Sequence, residues 1–418
     1  MVDTREREVP LSEGAMGIPF ITQLILKVAS RCNLNCSYCF VYNKGDATWR
    51  DRPALMSGEV FEAALDRLRE YCRVADQSRV SISFHGGEPC LIGEERFDRW
   101  CLHAREIFQD VAKVDICMQT NGTLLHEGWT ELFRKHKVRV GLSLDGPRHY
   151  NDKFRVDHLG RGSYDQVERG LKTLQQAGVT YGLLSVIPLG ANPLEVHRHF
   201  LSLGCTHITY ALPHFTHDTI APIRRVYGPT PCADFLITIF DDWWFNGTMD
   251  VRIGDLWNMS RIILGGRSQI ETLGNEAPRY VFVESDGEME GLDNLRVCVE
   301  GMAKIHLNVI SSGFQDIFQV DTMHKKAIFE GMDLPTGCRT CPERDTCAGG
   351  YLPHRFSSAR GFDNPSVWCA DLLKLFTHLR HRLGVSIEET YARRDELRHL
   401  GEMGGRPFEI SAGQGVTL

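Results

Sequence analysis

Three cysteines near the start of the chain, Cys32, Cys36 and Cys39, form a C-x3-C-x2-C array. They follow the apolar run at residues 21–28, which predicts a strand that ends in this cysteine loop. Three thiolates can hold three irons of a 4Fe–4S cluster and leave the fourth iron open to a small molecule, for which S-adenosylmethionine is the candidate. Buried reduced thiols and a zinc site are the alternatives. Zinc usually takes four ligands, and this loop contains no fourth Cys or His.

Three polar clusters further along the chain each follow an apolar run and precede a helical stretch. They are Phe-His-Gly-Gly-Glu-Pro at 84–89, Gln-Thr-Asn-Gly-Thr at 119–123 and Ser-Leu-Asp-Gly-Pro at 143–147. One such cluster would indicate only a turn. In a β/α barrel, however, the C-terminal ends of the strands meet on the face that carries the active site. Three clusters in register, after a cysteine loop, therefore predict one shared site.

The elements that must position these residues follow a regular alternation. Six strand–helix units are predicted, with strands near 21–28, 79–84, 114–120, 138–145, 181–187 and 206–210. The fold class is therefore α/β, with a partial (β/α)6 barrel. Six units leave the barrel open on one side, and such a gap admits a large substrate such as a peptide.

A second cysteine group lies near the other end of the sequence. Cys338, Cys341 and Cys347 form a C-x2-C-x5-C array, and Cys369 follows. Four thiolates close an iron–sulfur cluster completely, which suits electron transfer rather than chelation of a substrate. A four-thiolate zinc site is equally compatible with the spacing alone.

The order of the first motifs resembles that of the radical SAM superfamily, from Ile21 to about Tyr210. The resemblance implies a 4Fe–4S cluster on the first three cysteines and favours iron–sulfur over zinc at the second group. It also implies a set of contacts to S-adenosylmethionine: Gly86, Gly87 and Glu88 at the amino end, Ser143 at the ribose, Arg155 at the carboxylate and Ile187 at the adenine, with Tyr38, Asn121 and Asp145 completing the set.

The C-terminal part resembles the SPASM extension of peptide-modifying radical SAM enzymes, with two departures. Tyr351 and Leu292 stand where that pattern has ligand cysteines. The resemblance therefore implies that the first of two auxiliary clusters is absent and the second intact, and Cys298 is assigned no ligand role. Asp293, directly after Leu292, is implied as the general base. A turn residue is the alternative, because Asp293-Asn294 is good turn chemistry.

Four segments, at 46–57, 285–293, 349–355 and 361–367, resemble the cyclophane-forming maturases of ribosomal peptides. This family joins an aromatic ring carbon to a side-chain β-carbon of a precursor peptide. The implied cofactors are S-adenosylmethionine and two 4Fe–4S clusters, and the implied partners are the precursor peptide and a reductant such as flavodoxin or ferredoxin. Two other functions stay open: a formylglycine-type maturase acting on Ser or Cys, and a non-catalytic iron–sulfur electron carrier.

Composition narrows the function classes. The chain has 418 residues, a formal net charge of −7 and no basic run, which argues against nucleic acid as a partner. No apolar stretch is long enough for a membrane span, and the N-terminus has no signal-peptide pattern. Thiols bound to iron need a reducing compartment, which predicts a cytoplasmic location.

The predicted organisation has five parts. They are an N-terminal segment at 1–20, the partial barrel at 21–230, a bridging region with a β-hairpin at 231–335, a SPASM-like cluster domain with C-terminal helices at 336–400 and a flexible Gly-rich tail at 401–418.

Overall fold

The computed structural model describes residues 18–247, 250–274, 276–320 and 322–402. Its strands form a single sheet in the order β10-β9-β8-β1-β2-β3-β4-β5-β6-β7. The strands are β1 (Gln23–Ala29), β2 (Arg79–Gly86), β3 (Lys113–Thr120), β4 (Arg139–Ser143), β5 (Tyr181–Val186), β6 (His207–Ala211), β7 (Arg252–Ile253), β8 (Tyr280–Val283), β9 (Glu288–Glu290) and β10 (Lys304–Asn308).

The six predicted strands are confirmed as β1–β6, which run parallel and in sequence order. Parallel pairing needs a crossover between successive strands, and the intervening helices supply it. The helices are α1 (Gly58–Val74), α2 (Glu94–Phe108), α3 (Glu127–Lys135), α4 (Arg148–Phe154), α5 (Tyr164–Gln176), α6 (Pro193–Ser202), α7 (Ala221–Tyr227), α8 (Pro231–Asp241), α9 (Gly254–Ile263), α10 (Ile317–Val320), α11 (Thr322–Lys325), α12 (Cys369–Leu383) and α13 (Ile387–Glu402).

The core lies between the outer face of the sheet and these helices. α1 begins where the Ser57 side chain accepts a hydrogen bond from Val60 N, and it presents an apolar face to the sheet. On that face Phe61 stacks on Trp100 of α2, with ring centroids 4.2 Å apart. Helices cover one face of the sheet, so the other face encloses the barrel interior.

The sheet is longer than the predicted barrel. Strand β7 extends it beyond β6, and β8 pairs in parallel with β1 on the other side. Strands β8 and β9 form an antiparallel hairpin within residues 231–335, and this hairpin continues the barrel sheet. The apolar run Tyr280–Val283 indicates a strand. The identity of the strand that it pairs with, however, depends on tertiary packing.

The C-terminal part consists of short 3-10 helices and loops around the second cysteine group, followed by α12 and α13. Cys369 is the first residue of α12, which packs on α8. The helix α13 extends to Glu402, so the predicted tail otherwise lies outside the described residues, as do residues 1–17 of the N-terminal segment. Within the described ranges, no helix combines the length and apolar character that a membrane span requires.

Candidate active site

A cavity of about 590 Å³ lies where the C-terminal ends of the parallel strands converge. It is lined by residues that the sequence predicted for the site: Cys32, Cys36, Cys39, Tyr38, Asn121 and Arg155. The same cavity is also lined by titratable residues from other parts of the chain: His214, Asp255, Glu271, Tyr280, Asp293 and Tyr351. The cavity thus brings the predicted cysteine loop and the predicted base, Asp293, into one chamber.

The cysteine loop is fixed by backbone hydrogen bonds. Asn35 N donates to Val156 O at 2.7 Å, Ser37 N donates to Phe154 O at 3.0 Å, and Cys39 N donates to Cys36 O at 2.9 Å. The loop is therefore tied to the segment that carries Arg155. Burial raises the pKa of the Cys32 thiol to about 12. A cation such as iron, which binds thiolates and releases their protons, suits this site.

Gly86 and Gly87 lie against the cysteine loop. A Cβ atom on Gly86, whose φ is 144°, would come within 2.2 Å of Ala29 O. A Cβ atom on Gly87 would lie equally close to Arg31 O, at 2.2 Å. Any side chain at either position would push the loop away, so glycine is required for this close backbone approach. Both glycines also line the cavity, where the prediction placed them.

Glu88 differs from the expectation of a contact with S-adenosylmethionine. It is fully buried, and its carboxylate accepts hydrogen bonds from Thr120 Oγ1 at 2.7 Å, Asn121 N at 2.7 Å and Cys90 N at 3.0 Å. Burial raises its pKa. Its acceptor capacity is used within the protein, and it holds the loop that presents Asn121 to the cavity. The amide of Asn121 in turn lies 3.7 Å from Cys32 Sγ.

Arg155, Tyr38 and Asp145 form a chain of polar contacts at the edge of the cavity. Arg155 Nη1 donates to Tyr38 Oη at 2.8 Å, and Tyr38 Oη donates to Asp145 Oδ2 at 2.6 Å. Asp145 is buried and also accepts from Val186 N at 3.0 Å, so it acts on the cavity through Tyr38. Arg155 Nε is buried without a hydrogen-bond partner. An unused guanidinium donor beside the cysteine loop fits a ligand that carries a carboxylate.

The other two predicted contacts have different outcomes. Ser143 lines the cavity, and its hydroxyl accepts a hydrogen bond from Gln119 Nε2 at 3.0 Å. Ile187 instead belongs to the hydrophobic core, and Leu184 and Val186 form this part of the cavity wall. Side chains alternate between the two faces of a strand, so the residue after Val186 points away from the interior.

Asp293 contacts Lys27, a residue that the sequence analysis did not select. The Asp293 carboxylate lies 2.8 Å from Lys27 Nζ, and both side chains are buried. Lys27 also lies 3.3 Å from Glu284. A lysine inside the apolar run of β1 was the available signal, since a buried charge requires a partner. The partner, Asp293, lies more than two hundred and fifty positions away, so the sequence around Lys27 does not identify it.

A network of buried ion pairs lies beneath Asp293. Arg52 contacts Glu284 at 3.1 Å and Glu290 at 2.8 Å, and Arg296 contacts the same two carboxylates at 2.6 and 2.5 Å. Burial acts to raise the pKa of Glu290, but Arg296, Lys27 and Arg52 outweigh it and lower the pKa. The network joins the segments 46–57 and 285–293, so two motifs that are far apart in the sequence form one support for the site.

The four C-terminal cysteines lie within electrostatic reach of one another. Burial raises the pKa of Cys347 to about 12, and the neighbouring charges of Cys369, Cys338 and Cys341 add to that effect. The buried Arg355 guanidinium lies within electrostatic reach of this group and donates to Gly350 O at 2.8 Å. In the described part of the chain, the lining of the large cavity includes none of these four thiols. No group of three or more described His, Cys, Asp or Glu side chains has the arrangement for a single metal ion.

The place of the missing cluster ligands is filled by protein side chains. Leu292 packs in an apolar group with Leu295, Ala303, Ala327 and Leu352. Tyr351 is buried, and its hydroxyl accepts a hydrogen bond from Asn294 Nδ2 at 2.7 Å. The Cys298 thiol points to the carbonyl oxygen of Pro353, at 3.7 Å.

Several other titratable residues on the cavity carry no local sequence signal. His214 and His354 contact each other through ring nitrogens 3.0 Å apart. Burial lowers the pKa of His214 to about 4 and raises the pKa of Asp255 to about 7. His85 lies in β2 directly opposite Lys27 of β1, and its Nδ1 accepts from Gly86 N at 2.8 Å.

Comparison with known proteins agrees with this geometry. Residues 26–223 match the model of the Radical SAM superfamily, whose members bind S-adenosylmethionine and a 4Fe–4S cluster. The chain is 26% identical, over 85% of its length and 88% of the relative's, to a serine-type anaerobic sulfatase-maturating enzyme of Bacteroides thetaiotaomicron. It is also 26% identical, over 88% of its length and 98% of the relative's, to the cysteine-type enzyme of Clostridium perfringens.

A solved structure shares the fold. It is the anaerobic sulfatase-maturating enzyme anSMEcpe with bound S-adenosylmethionine and a peptide, which aligns with a TM-score of 0.72 and 22% identity over 90% of this chain and 100% of that one. The cysteine loop, the glycine pair and the free donor of Arg155 fit the superfamily's two cofactors. Residues 26–223 are therefore similar to the Radical SAM superfamily, within a chain that is similar to sulfatase-maturating enzymes along most of its length.

Proposed function

We propose that this protein oxidises a side chain of a peptide substrate, and that the reaction starts with removal of a hydrogen atom from the β-carbon. The observation that carries the proposal is the shared cavity, which is lined both by the three-cysteine loop and by Asp293. Related proteins that modify sulfatases, and one solved relative with a bound peptide, support a peptide as the substrate class.

The chain's residues would hold the cofactors as follows. Cys32, Cys36 and Cys39 hold a 4Fe–4S cluster with one open iron, and Arg155 binds the carboxylate of S-adenosylmethionine. When bound and reduced, this pair supplies a 5′-deoxyadenosyl radical, which removes hydrogen atoms from carbon. The second cysteine group, completed by Cys369, holds a closed 4Fe–4S cluster.

The remaining steps concern one electron and one proton. After a hydrogen atom has left the β-carbon, a stable product requires the loss of one more electron and one proton. Asp293 would take the proton, because its carboxylate borders the cavity, where it pairs with Lys27. Cys338, Cys341, Cys347 and Cys369 would hold the closed cluster, which would supply the acceptor for the electron. Leu292 and Tyr351 fill the place of another cluster, which supports a single auxiliary acceptor in this chain.

Two finer reactions fit this scheme. Conversion of a Ser or Cys residue to formylglycine is favoured by the similarity to sulfatase-maturating enzymes along most of the chain. Formation of a carbon–carbon bond between the β-carbon and a nearby aromatic ring, in a ribosomal precursor peptide, is the second candidate. It is favoured by the motifs at 46–57 and 285–293, which meet beneath Asp293, and by the filled place of the first auxiliary cluster.

The experiment is an anaerobic assay with three kinds of peptide and an external reductant such as flavodoxin or ferredoxin. The peptides are a sulfatase-derived peptide in Ser and Cys forms and any short aromatic-containing peptide encoded beside this gene. Mass spectrometry follows the loss of two hydrogens from a Ser peptide or a crosslinked peptide. For a Cys peptide it also follows the exchange of sulfur for the oxygen of water, because hydrolysis of the thioaldehyde releases hydrogen sulfide. An aldehyde-specific reagent detects formylglycine, and tandem fragmentation detects a crosslink. An aldehyde supports the first reaction and a crosslink the second. Cleavage of S-adenosylmethionine without any change in all three peptides would contradict peptide oxidation.

A further inference from the structure

The ion pair between Lys27 and Asp293 is buried and spans two parts of the sheet. Lys27 is in β1, on the interior face that also carries Gln23 and Ile25, and Asp293 follows the β8–β9 hairpin. Their side chains are 3% and 7% exposed, and Lys27 Nζ lies 2.8 Å from Asp293 Oδ2. Burial of a lysine ammonium group is unfavourable unless an anion compensates its charge. The Asp293 carboxylate supplies that compensation.

Lys27 is shared by two carboxylates. Its Nζ lies 3.3 Å from Glu284, which Arg52 and Arg296 also contact. Burial alone would lower the pKa of Lys27, but Asp293 and Glu284 outweigh burial and raise it. Burial raises the pKa of Glu284 to about 7, whereas Glu290, whose pKa is lowered, stays ionised and also raises the pKa of Lys27. The ammonium group therefore keeps a charged carboxylate within electrostatic reach whether or not Asp293 carries a proton.

Other titratable groups are within electrostatic reach of Asp293: His85, His214, Glu271, Tyr280, Arg296 and Tyr351. Burial lowers the pKa of both histidines, so they are neutral near pH 7. Arg296 is held by Glu284 and Glu290, with which it makes its short contacts. Lys27 is thus the cation in direct contact with Asp293.

We propose that Lys27 is a positioning residue that holds the Asp293 carboxylate by an ion pair and orients it toward the cavity, ready to accept the substrate's proton. This inference rests on the proposed role of Asp293. When Asp293 takes the proton, the ionised Glu290 remains within electrostatic reach of Lys27, so proton uptake does not leave an uncompensated buried charge. The geometry provides a proton acceptor whose charge is set in advance by the protein.

The first test is spectroscopic and needs no substrate. Infrared difference spectra of the holoenzyme, each taken against the matching Asp293→Asn variant, report whether Asp293 is a carboxylate or a protonated acid. We expect a carboxylate in the wild type near pH 7 and a protonated acid in Lys27→Met, because the carboxylate would otherwise be buried alone. Lys304→Met is the matched control, since Lys304 contacts Glu288 of the same network at 3.0 Å. An ionised Asp293 in Lys27→Met would overturn the proposal.

The second test uses turnover. The ratio of 5′-deoxyadenosine to oxidised peptide should rise roughly tenfold or more in Lys27→Met, with unchanged iron content. Asp293→Asn and the double variant should show the same ratio as each other, because Lys27 acts through Asp293. A further rise in the double variant would show that Lys27 acts elsewhere. If Lys27→Met does not fold, Lys27→Gln removes the charge and keeps a hydrogen-bonding group.

If the wild type oxidises no peptide, the proposed function fails, whereas the infrared test still decides the role of Lys27.

Discussion

The two cysteine sites of this protein differ in what surrounds them. Cys32, Cys36 and Cys39 line a cavity of about 590 Å³. The four C-terminal cysteines gather around short 3-10 helices and the start of α12, and the described lining of that cavity contains none of them. Three thiols that face a chamber suit a cluster that reacts, and four thiols away from it suit a cluster that only exchanges electrons.

The charged side chains near the two cysteine sites also differ in whether their hydrogen-bonding groups are already used. Near the first site, Arg155 keeps an unpartnered buried Nε and Asp293 borders the cavity. At the second site, the Arg355 guanidinium donates to backbone carbonyls and is used in holding its own loop. Donors that are left free indicate ligand binding, whereas donors that are satisfied indicate structure. Substitutions at the two sites should therefore separate chemistry from electron transfer.

The largest effect is expected at the open site. Cys36→Ala should abolish the formation of 5′-deoxyadenosine, because the iron that binds S-adenosylmethionine is lost with its cluster. Chromatography of the dithionite-reduced reaction measures it. Cys72→Ala is the control, since Cys72 is a buried thiol of α1 away from both sites. Full cleavage activity in Cys36→Ala, with circular dichroism unchanged, would contradict the assignment.

The closed site should show a split result. Cys341→Ala should stop formation of oxidised peptide while some cleavage of S-adenosylmethionine remains. Iron should fall from about eight to about four per chain. Iron analysis together with peptide mass spectrometry checks both parts. A wild-type value of about twelve irons per chain would mean that a third cluster is present. Stoichiometric zinc at the second site would instead make that site structural.

Asp293→Asn tests whether Asp293 accepts the proton that follows formation of the substrate radical. The amide has nearly the shape of the carboxylate but cannot take up a proton in the same way. Oxidised peptide should fall roughly a hundredfold or more, while 5′-deoxyadenosine still forms and still carries deuterium from a labelled β-carbon. Wild-type rates of product would exclude Asp293 as the base, and Glu271, which also lines the cavity, would be the next candidate.

A smaller effect is expected for Arg155→Lys. An ammonium group cannot reproduce the fork of donors, so the Kd for S-adenosylmethionine should rise roughly tenfold with iron content unchanged. Equilibrium dialysis measures the Kd. Arg148→Lys is the matched control, because Arg148 makes an exposed ion pair with Asp165. An unchanged Kd in Arg155→Lys would remove Arg155 from the binding site.

The sequence by itself determined the six parallel strands, the cysteine loop and the convergence of the polar clusters. Period, glycine placement and cysteine spacing are local properties, and the barrel then gathers strand ends at one face by its own geometry. It also determined that Leu292 and Tyr351 lack the chemistry of cluster ligands, because residue type alone settles that point.

Tertiary structure decided which face each side chain presents and which distant residue it meets. Ile187 lies in the core while Val186 lines the cavity, since one position along a strand reverses the face. The buried Glu88 carboxylate accepts hydrogen bonds from Thr120 and Asn121, because a buried polar group without hydrogen-bond partners is unfavourable. The pairing of Lys27 with Asp293, and of β8 with β1, joins segments separated by most of the chain. Such contacts depend on packing and charge compensation in three dimensions, which no local pattern records.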